Sequence, residues 1–348
     1  MTEPQVDDAT MQLGTVPEPQ AKRKPWYRSR VFRVFSWAAS AGVVIYTVVR
    51  LFGLETGWIL GTTIAFVPYA AALALVGAGV QAAFRHWAAA IVSAAAALAM
   101  VAVVSPRLFA DDQPAASGPE LTVMSVNLYV GVANLEYVME LVEEHEPDVL
   151  SVQEFTPGAM DTLAELGLED LLPHVIAEPG DQAIGTALYS AHPLERLEEI
   201  EPGGIFYQPA AEITLEDGSK ARFMAIHTAA PASAERVPQW EADFAVLPRP
   251  EEDVPWILAG DFNATLDHDL LRDLISTGYT DAADATGSGL DMTWRPIEGG
   301  YLNGIVRPPA VALDHVLVDE RAAVHSFEVL DKDGSDHAPV VAHIQLPG

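Results

Sequence analysis

The chain has 348 residues, 50% of them hydrophobic, no cysteine, and a formal net charge of -30. The lack of cysteine excludes a disulfide framework, a thiol nucleophile and a thiolate metal site. Residues 1–110 carry nine Lys and Arg against five Asp and Glu, whereas residues 111–348 carry ten against 44, a net of -34; strong duplex-DNA binding, which needs a basic footprint, is not expected of this second part.

Residues 1–20 are polar, contain proline and lack periodicity, which predicts disorder at the start of a cytoplasmic tail over residues 1–33. Lys22, Arg23, Lys24, Arg28, Arg30 and Arg33 close that tail. Uncharged runs follow: 16 residues from Val34 to Val49, 29 between Glu55 and Arg85, and 21 between Arg85 and Arg107. A bilayer core takes about 20 residues of helix, so residues 34–110 read as an anchor of three transmembrane helices. The first run is short, and Arg33 and Arg50 are expected to snorkel to the interfaces. Two further apolar runs argue against a cleaved signal peptide, and helices apolar on every side argue against a soluble bundle. No charge lies within the runs, so an anchor fits better than a transporter. The cationic flank puts the N-terminus in the cytoplasm. Three crossings then put everything after Ala110 outside the plasma membrane. Arg85 falls in a cytoplasmic turn, and Trp26, Tyr27, Trp58 and Trp87 sit near span ends, as interfacial aromatics do.

Residues 111–119 read as a linker by composition. Residues 120–348 then form one acidic unit. Leu121–Asn127 predicts a strand. Asn134–Glu146 predicts an amphipathic helix, with Leu135, Val138, Leu141 and Val142 on one face. After the Pro147-Asp148 break, Val149–Gln153 predicts the next strand. Further strands are expected over Ala183–Ser190, Ala210–Leu215 and Ala221–His227, then a helix over Ser233–Leu247 with Ser233 as its cap. A strand over 255–260, a helix near 268–276, and strands at 311–318, 323–330 and 338–345 complete the unit. Strands outnumber helices and many are consecutive, which favours two packed sheets with helices outside.

The apolar run Pro255–Ala259 ends in Gly260-Asp261-Phe262-Asn263. A carboxylate and, two residues on, a carboxamide then share one side of the chain, able to accept from and donate to one water. Carboxylates and histidines recur at other strand ends: Glu154, His227, Asp314, Asp336 and His337, with Asn127 closing the first strand. Together they point to metal-assisted hydrolysis of a phosphoester. His315 falls on the opposite strand face from Asp314 and reads as structural.

Six segments carry a family resemblance: Ser125-Val126-Asn127-Leu128, Val152-Gln153-Glu154, Ile226-His227-Thr228, Gly260-Asp261-Phe262-Asn263, Leu313-Asp314-His315-Val316 and Ser335-Asp336-His337-Ala338-Pro339. In this order and spacing they resemble the endonuclease/exonuclease/phosphatase superfamily, of deoxyribonuclease I-like type, over residues 119–347. The resemblance implies an α/β fold, a four-layer α/β/β/α sandwich, here preceded by three transmembrane helices. It implies phosphoester hydrolysis with Mg2+, or Mn2+ in its place. Glu154 and Asp336 are implied as metal ligands, with Asn127 beside the metal orienting the carboxylates. Asp261 would orient and deprotonate the attacking water, and Asn263 would help hold the water or phosphate. His337, fixed by Asp314, would donate to the phosphate oxygens as charge builds. His227 would protonate the leaving oxygen or bind phosphate. No carboxylate partner for His227 is identifiable in the sequence, and a structural histidine is the competing reading. Thr293-Trp294 resembles an element near the substrate face. The implied partners are the bilayer and a phosphoester: a lipid headgroup, a nucleotide or a nucleic acid. The alternative function is a catalytically silent binding domain outside the membrane.

Overall fold

A computed structural model describes residues 29–197, 203–297 and 307–348. Most of the cationic tail, with Trp26 and Tyr27, lies outside the described residues. Three helices are long and apolar enough to cross a membrane: Arg30–Phe52, Gly57–Ala83 and Trp87–Leu108. The first, α1 (Arg30–Phe52), is capped by Ser29, whose hydroxyl accepts from the Phe32 N–H. The second divides into α2 (Gly57–Thr63), a 3-10 turn (Ile64–Phe66) and α3 (Val67–Ala83). Pro68 explains the break: it has no N–H for the Ile64 carbonyl, which accepts from Val67 instead. The third comprises α4 (Trp87–Val104) and a 3-10 turn (Ser105–Leu108) that contains Pro106.

Buried serines and a glutamine join these apolar helices. Ser40 Oγ donates to the Ala89 carbonyl and accepts from Ser93 Oγ and Gln81 Nε2. Arg50, expected to snorkel, has its head group against the acidic unit. It is buried, and its Nε donates to Asp267 Oδ1 at 2.5 Å. Arg107 donates to both oxygens of the same carboxylate, at 2.8 and 2.9 Å. A paired guanidinium can be buried where a lone one cannot. Burial alone would raise the Asp267 carboxyl, and the two guanidinium groups outweigh it and hold it below its ordinary range. This clamp ties the ends of the first and third helices to the acidic unit. Residues 111–119 carry no helix or strand, but they are pinned too: Gln113 Oε1 accepts from Val324 N, and Gly118 N donates to Leu346 O.

The strands, in chain order, are β1 (Glu120–Asn127), β2 (Val149–Gln153), β3 (His174–Glu178), β4 (Thr186–Ser190), β5 (Leu194–Arg196), β6 (Ala210–Thr214), β7 (Lys220–His227), β8 (Trp256–Asp261), β9 (Tyr279–Asp281), β10 (Asp314–Asp319), β11 (Ala323–Val329) and β12 (Val340–Gln345). They make two six-stranded sheets, β11-β12-β1-β2-β4-β3 and β5-β6-β7-β8-β10-β9. Each sheet has one parallel pair at its centre, β1 with β2 and β7 with β8, and is otherwise antiparallel. Val123, Val149, Phe223, Ile257, Val316 and Val340 meet between the sheets. Helices α5 (Leu135–His145), α6 (Pro157–Glu165) and the short α7 (Leu168–Leu171) cover the outer face of the first sheet, and α8 (Val237–Val246) and α9 (Asp269–Ile275) that of the second. The architecture is the expected α/β/β/α sandwich.

The local expectations differ at their edges. Helix α8 begins at Val237, with no side-chain cap; Ser233 instead offers its carbonyl to Arg236 N and Val237 N in a turn. Pro238 sets this start, because proline is tolerated only in the first helical turn. The Ala183 strand begins at Thr186. Strands β3, β5 and β9 and helix α6 were not expected.

Candidate active site

Both parallel pairs end at the same rim of the sandwich. Parallel register sets Asn127 beside Gln153 in one sheet and His227 beside Asp261 in the other. The antiparallel neighbour β10 starts there, with Asp314 paired to Asp261. His337 stands just before β12, bridged to Trp294. Beneath the rim, Ser151 Oγ donates to the Ala259 carbonyl across the sheets, and Gln153 Nε2 donates to Ser151 Oγ. The sheets are thus pinned directly under the polar cluster.

Glu154 leaves β2 with φ 56, a left-handed conformation that turns its carboxylate into the cleft. Tyr129, Val130 and Gly131 are also left-handed, and that turn aims the Val130 N–H at Glu154 Oε2, 2.5 Å away. Strained non-glycine backbone of this kind persists only where its surroundings hold it. Asn127 Nδ2 donates to Glu154 Oε1 at 3.5 Å and to Asp261 Oδ2 at 3.3 Å, while its Oδ1 accepts from Tyr129 N. The amide therefore spans the two carboxylates. Asp336 Oδ2 accepts from the Trp294 indole at 3.0 Å. Its Oδ1 is buried without a hydrogen-bond partner. Burial pushes the Glu154 carboxyl up, and Asp336 adds to that push against the His337 imidazolium. Two carboxylates in one cavity, one with an orphaned oxygen, fit a hard divalent cation.

Gly260 has φ 152, and a Cβ there would lie 2.0 Å from the Ile226 carbonyl oxygen. Only glycine lets β8 reach the rim so close to β7. Asp261 is buried; its Oδ1 accepts from Asn263 N at 2.8 Å and its Oδ2 from Asn263 Nδ2 at 3.1 Å. Asn263, left-handed at φ 45, also donates to the Thr228 carbonyl. Its two amide hydrogens thus go to Asp261 and to the Thr228 carbonyl, rather than standing beside Asp261 on a shared water. His337 Nδ1 donates to Asp314 at 2.9 Å, and Asp314 also accepts from Thr293 Oγ1 at 2.5 Å. His337 Nε2 is left 3.6 Å from Asp261 Oδ2. Burial works against charging this imidazole, but Asp314 and Asp261 outweigh it and push it up to about 10. Burial pushes Asp261 up to about 7, with His337 holding it back. Asp261, Asp314 and His337 lie within 4.8 Å of one another, close enough to ligate an ion. A protonated imidazole bonded to Asp314 has no lone pair to offer a cation, which leaves Glu154 and Asp336 as the candidate ligands.

His227 is buried, stacked on Phe206 with ring centroids 4.2 Å apart. Its Nε2 is 3.9 Å from Asp261 Oδ2, and its Nδ1 has no partner. Burial, helped by the nearby His337 charge, lowers it to about 3, so it is neutral. His315 bonds Asp281 and the Ala264 carbonyl, away from the cleft. All eight residues expected at the site lie at this one rim.

A family model for the endonuclease/exonuclease/phosphatase family matches residues 124–337. The chain belongs to that family. Members of the endonuclease/exonuclease/phosphatase family hydrolyse phosphoester bonds. Among solved structures, the chain is similar to an endonuclease/exonuclease/phosphatase from Beutenbergia cavernae, at 20% identity and TM-score 0.49, covering 66% of this chain and 72% of that one. It is also similar to TDP2 of D. rerio, solved with a single-strand DNA product, at 16% identity and TM-score 0.52, covering 65% of this chain and 99% of that one. The latter likeness is one of fold. No curated protein matches the sequence.

Several side chains around this family site carry little or no sequence signal. Trp294, weakly marked beside Thr293, binds Asp336. Phe206 under His227 and the left-handed Tyr129–Gly131 turn carry no signal. Gly61, Thr62, Ala65 and Phe66 of the second membrane-length helix line the same cavity as Glu154, Asp261 and His337.

Proposed function

We propose that this chain is a membrane-anchored phosphoester hydrolase, with residues 34–110 as anchor, 120–348 as a catalytic unit outside the membrane, and in-line attack by water as its chemistry. One observation carries the reading: Glu154, Asp261, Asp336 and His337, drawn from both sheets, face one cavity. Glu154 and Asp336 are the residues that would hold Mg2+, with Asn127 orienting Glu154. Bound there, the ion would neutralise phosphate charge.

Asp261 takes the proton of the attacking water. Its carboxyl, pushed toward neutrality by burial, suits a base working near pH 7. Asn263 and Asn127 fix its direction through their donated N–H groups. His337 is positively charged at neutral pH and stabilises the charge building on the non-bridging oxygens. Asp314 and Thr293 hold its ring. His227, being neutral, serves as a hydrogen-bond donor to phosphate or leaving oxygen, not as a cation. Arg30 and Arg33 in the first turn of the first helix, and Arg85 in the later turn on the same side, support a cytoplasmic N-terminus.

The test is hydrolysis of bis-p-nitrophenyl phosphate by the full chain in detergent, with Mg2+, with Mn2+ and with EDTA. Turnover is expected with either ion and is lost in EDTA. Silence on this ester, on plasmid DNA and on phospholipid headgroups in Mg2+ would reject the hydrolase reading in favour of a binding domain.

A further inference from the structure

The second membrane-length helix does more than tether. Its segment Gly61–Phe66 forms one wall of a cavity of about 390 Å³ whose opposite wall holds Glu154, Asp261 and His337. Three hydrogen bonds fix that wall: Thr62 Oγ1 donates to Pro231 O, His268 Nε2 to Gly61 O, and Tyr69 Oη to Ala310 O. Ala65, Val311 and Leu313 form a small apolar cluster, with Phe66 and Trp294 packed against it. Trp294 also donates to Asp336. The apolar wall and the carboxylate cluster therefore meet at one side chain.

The depth of this wall follows from helix length. The 18 residues of α4 rise about 27 Å, close to the hydrocarbon thickness of about 30 Å. Helix α3 runs back beside α4 from the turn at 84–86, so its start at Val67 lies level with the end of α4. The break at Ile64–Phe66 then stands where hydrocarbon meets headgroups. Exposed apolar residues continue around the cavity: Val130 lines it, and Ile205 and Tyr207 flank Phe206, which also lines it. Among the described lining residues, Arg236 is the one lysine or arginine. Such a rim does not suit a nucleic acid or a polyphosphate, whose charge needs several cations.

We infer that this helix segment is part of the substrate site, and that the substrate is a lipid phosphoester taken from the adjoining leaflet. The phosphate faces Glu154 and His337, and the first methylenes of the chain lie along Ala65, Phe66, Val311 and Leu313. The inference deepens the hydrolase reading and rests on it. In the reaction, the oxygen of water bonds to phosphorus and one ester P–O bond breaks. One proton of that water passes to Asp261, and the leaving oxygen departs with the bonding electrons.

The test uses two p-nitrophenyl phosphodiesters with the same scissile bond, one with a hexadecyl chain and one with an ethyl group. Both are given with Mg2+ to the full chain in phosphatidylcholine vesicles. The hexadecyl ester is expected to show kcat/KM about tenfold or more above the ethyl ester, since several methylenes leave water. In Phe66→Gln, and in the milder Ala65→Ser should the first fail to fold, that ratio falls toward one. The variants also separate recognition by the wall from mere concentration of the long ester on vesicles. A ratio near one in the wild type, with both esters cleaved, overturns the inference and leaves the hydrolase reading intact. A high ratio unchanged in a folded variant overturns the role of the helix. Cleavage of neither ester overturns both readings together.

Discussion

Asp261 stands under two opposed demands. The proposed chemistry wants a carboxylate near the attacking water, and burial among other acids penalises its charge. Its folded pKa is raised to about 7 from 3.8, so the penalty on the native state sets in as pH rises through that window and is complete above it. In EDTA, at about pH 8, Asp261→Asn is therefore expected to raise the unfolding midpoint by about 2–4 °C, while lowering hydrolysis in Mg2+ by about 10²-fold or more. Thermal melts and rates on the same preparations check both signs; a destabilised variant would contradict the burial argument. The residues of this centre were legible because carboxylates, amides and histidines at strand ends have few other reasons to recur. Their supports were not. The Val130 N–H reaches Glu154 through three successive left-handed residues, of which only Gly131 is a glycine. Nothing in the types Tyr and Val announces that conformation.

At the scale of elements, the docking of the membrane-length helices rests on buried polar contacts. Asp267→Ala would leave Arg50 and Arg107 buried without a carboxylate, a cost of about 3–5 kcal/mol. Loss of most folded full-length protein is expected, with recovery when both arginines are also made Leu. Detergent-solubilised yield and unfolding midpoint read this out, and a normal midpoint in Asp267→Ala would contradict the clamp. His268 adds a pH dependence. Burial lowers it to about 4 from 6.5, against its bond to the Gly61 carbonyl. The unfolded chain thus binds a proton first as pH falls. Stability is fully present above 6.5 and declines between 6.5 and about 4. His268→Gln should flatten that part of the midpoint-against-pH curve. Hydropathy revealed the helices, and alternation revealed most strands. Their joining was invisible, because Arg50 and Asp267 lie 217 residues apart and neither carries a local pattern. The edge strands β3, β5 and β9 were missed for other reasons: β5 and β9 have three residues each, too few for a period to register, and β3 has no fully buried residue to mark an apolar run.

For the whole molecule, charge and geometry agree. A unit with a net of -34 repels polyanions at long range, and its cleft abuts helices fit for a bilayer. The full chain is expected not to retain duplex DNA at physiological ionic strength, with a Kd weaker than about 10⁻⁴ M by gel shift, whereas micromolar binding would expose a basic surface that the sequence does not supply. The four-layer sandwich was legible from strand number and order. What the order could not convey is that two parallel pairs, one per sheet, end at the same rim and so bring distant segments together. That convergence is the centre of the account. It is tested most directly by single-turnover hydrolysis of a p-nitrophenyl phosphodiester with Mg2+. The full chain is compared with folded Glu154→Gln, Asp261→Asn and His337→Gln variants, singly and in pairs. Each single change should slow the reaction by about 10²-fold or more, and each pair should fall little further, because one site fails once a member is lost. A rate within about threefold of wild type in any single variant, or losses in the pairs that multiply as from independent places, would contradict it.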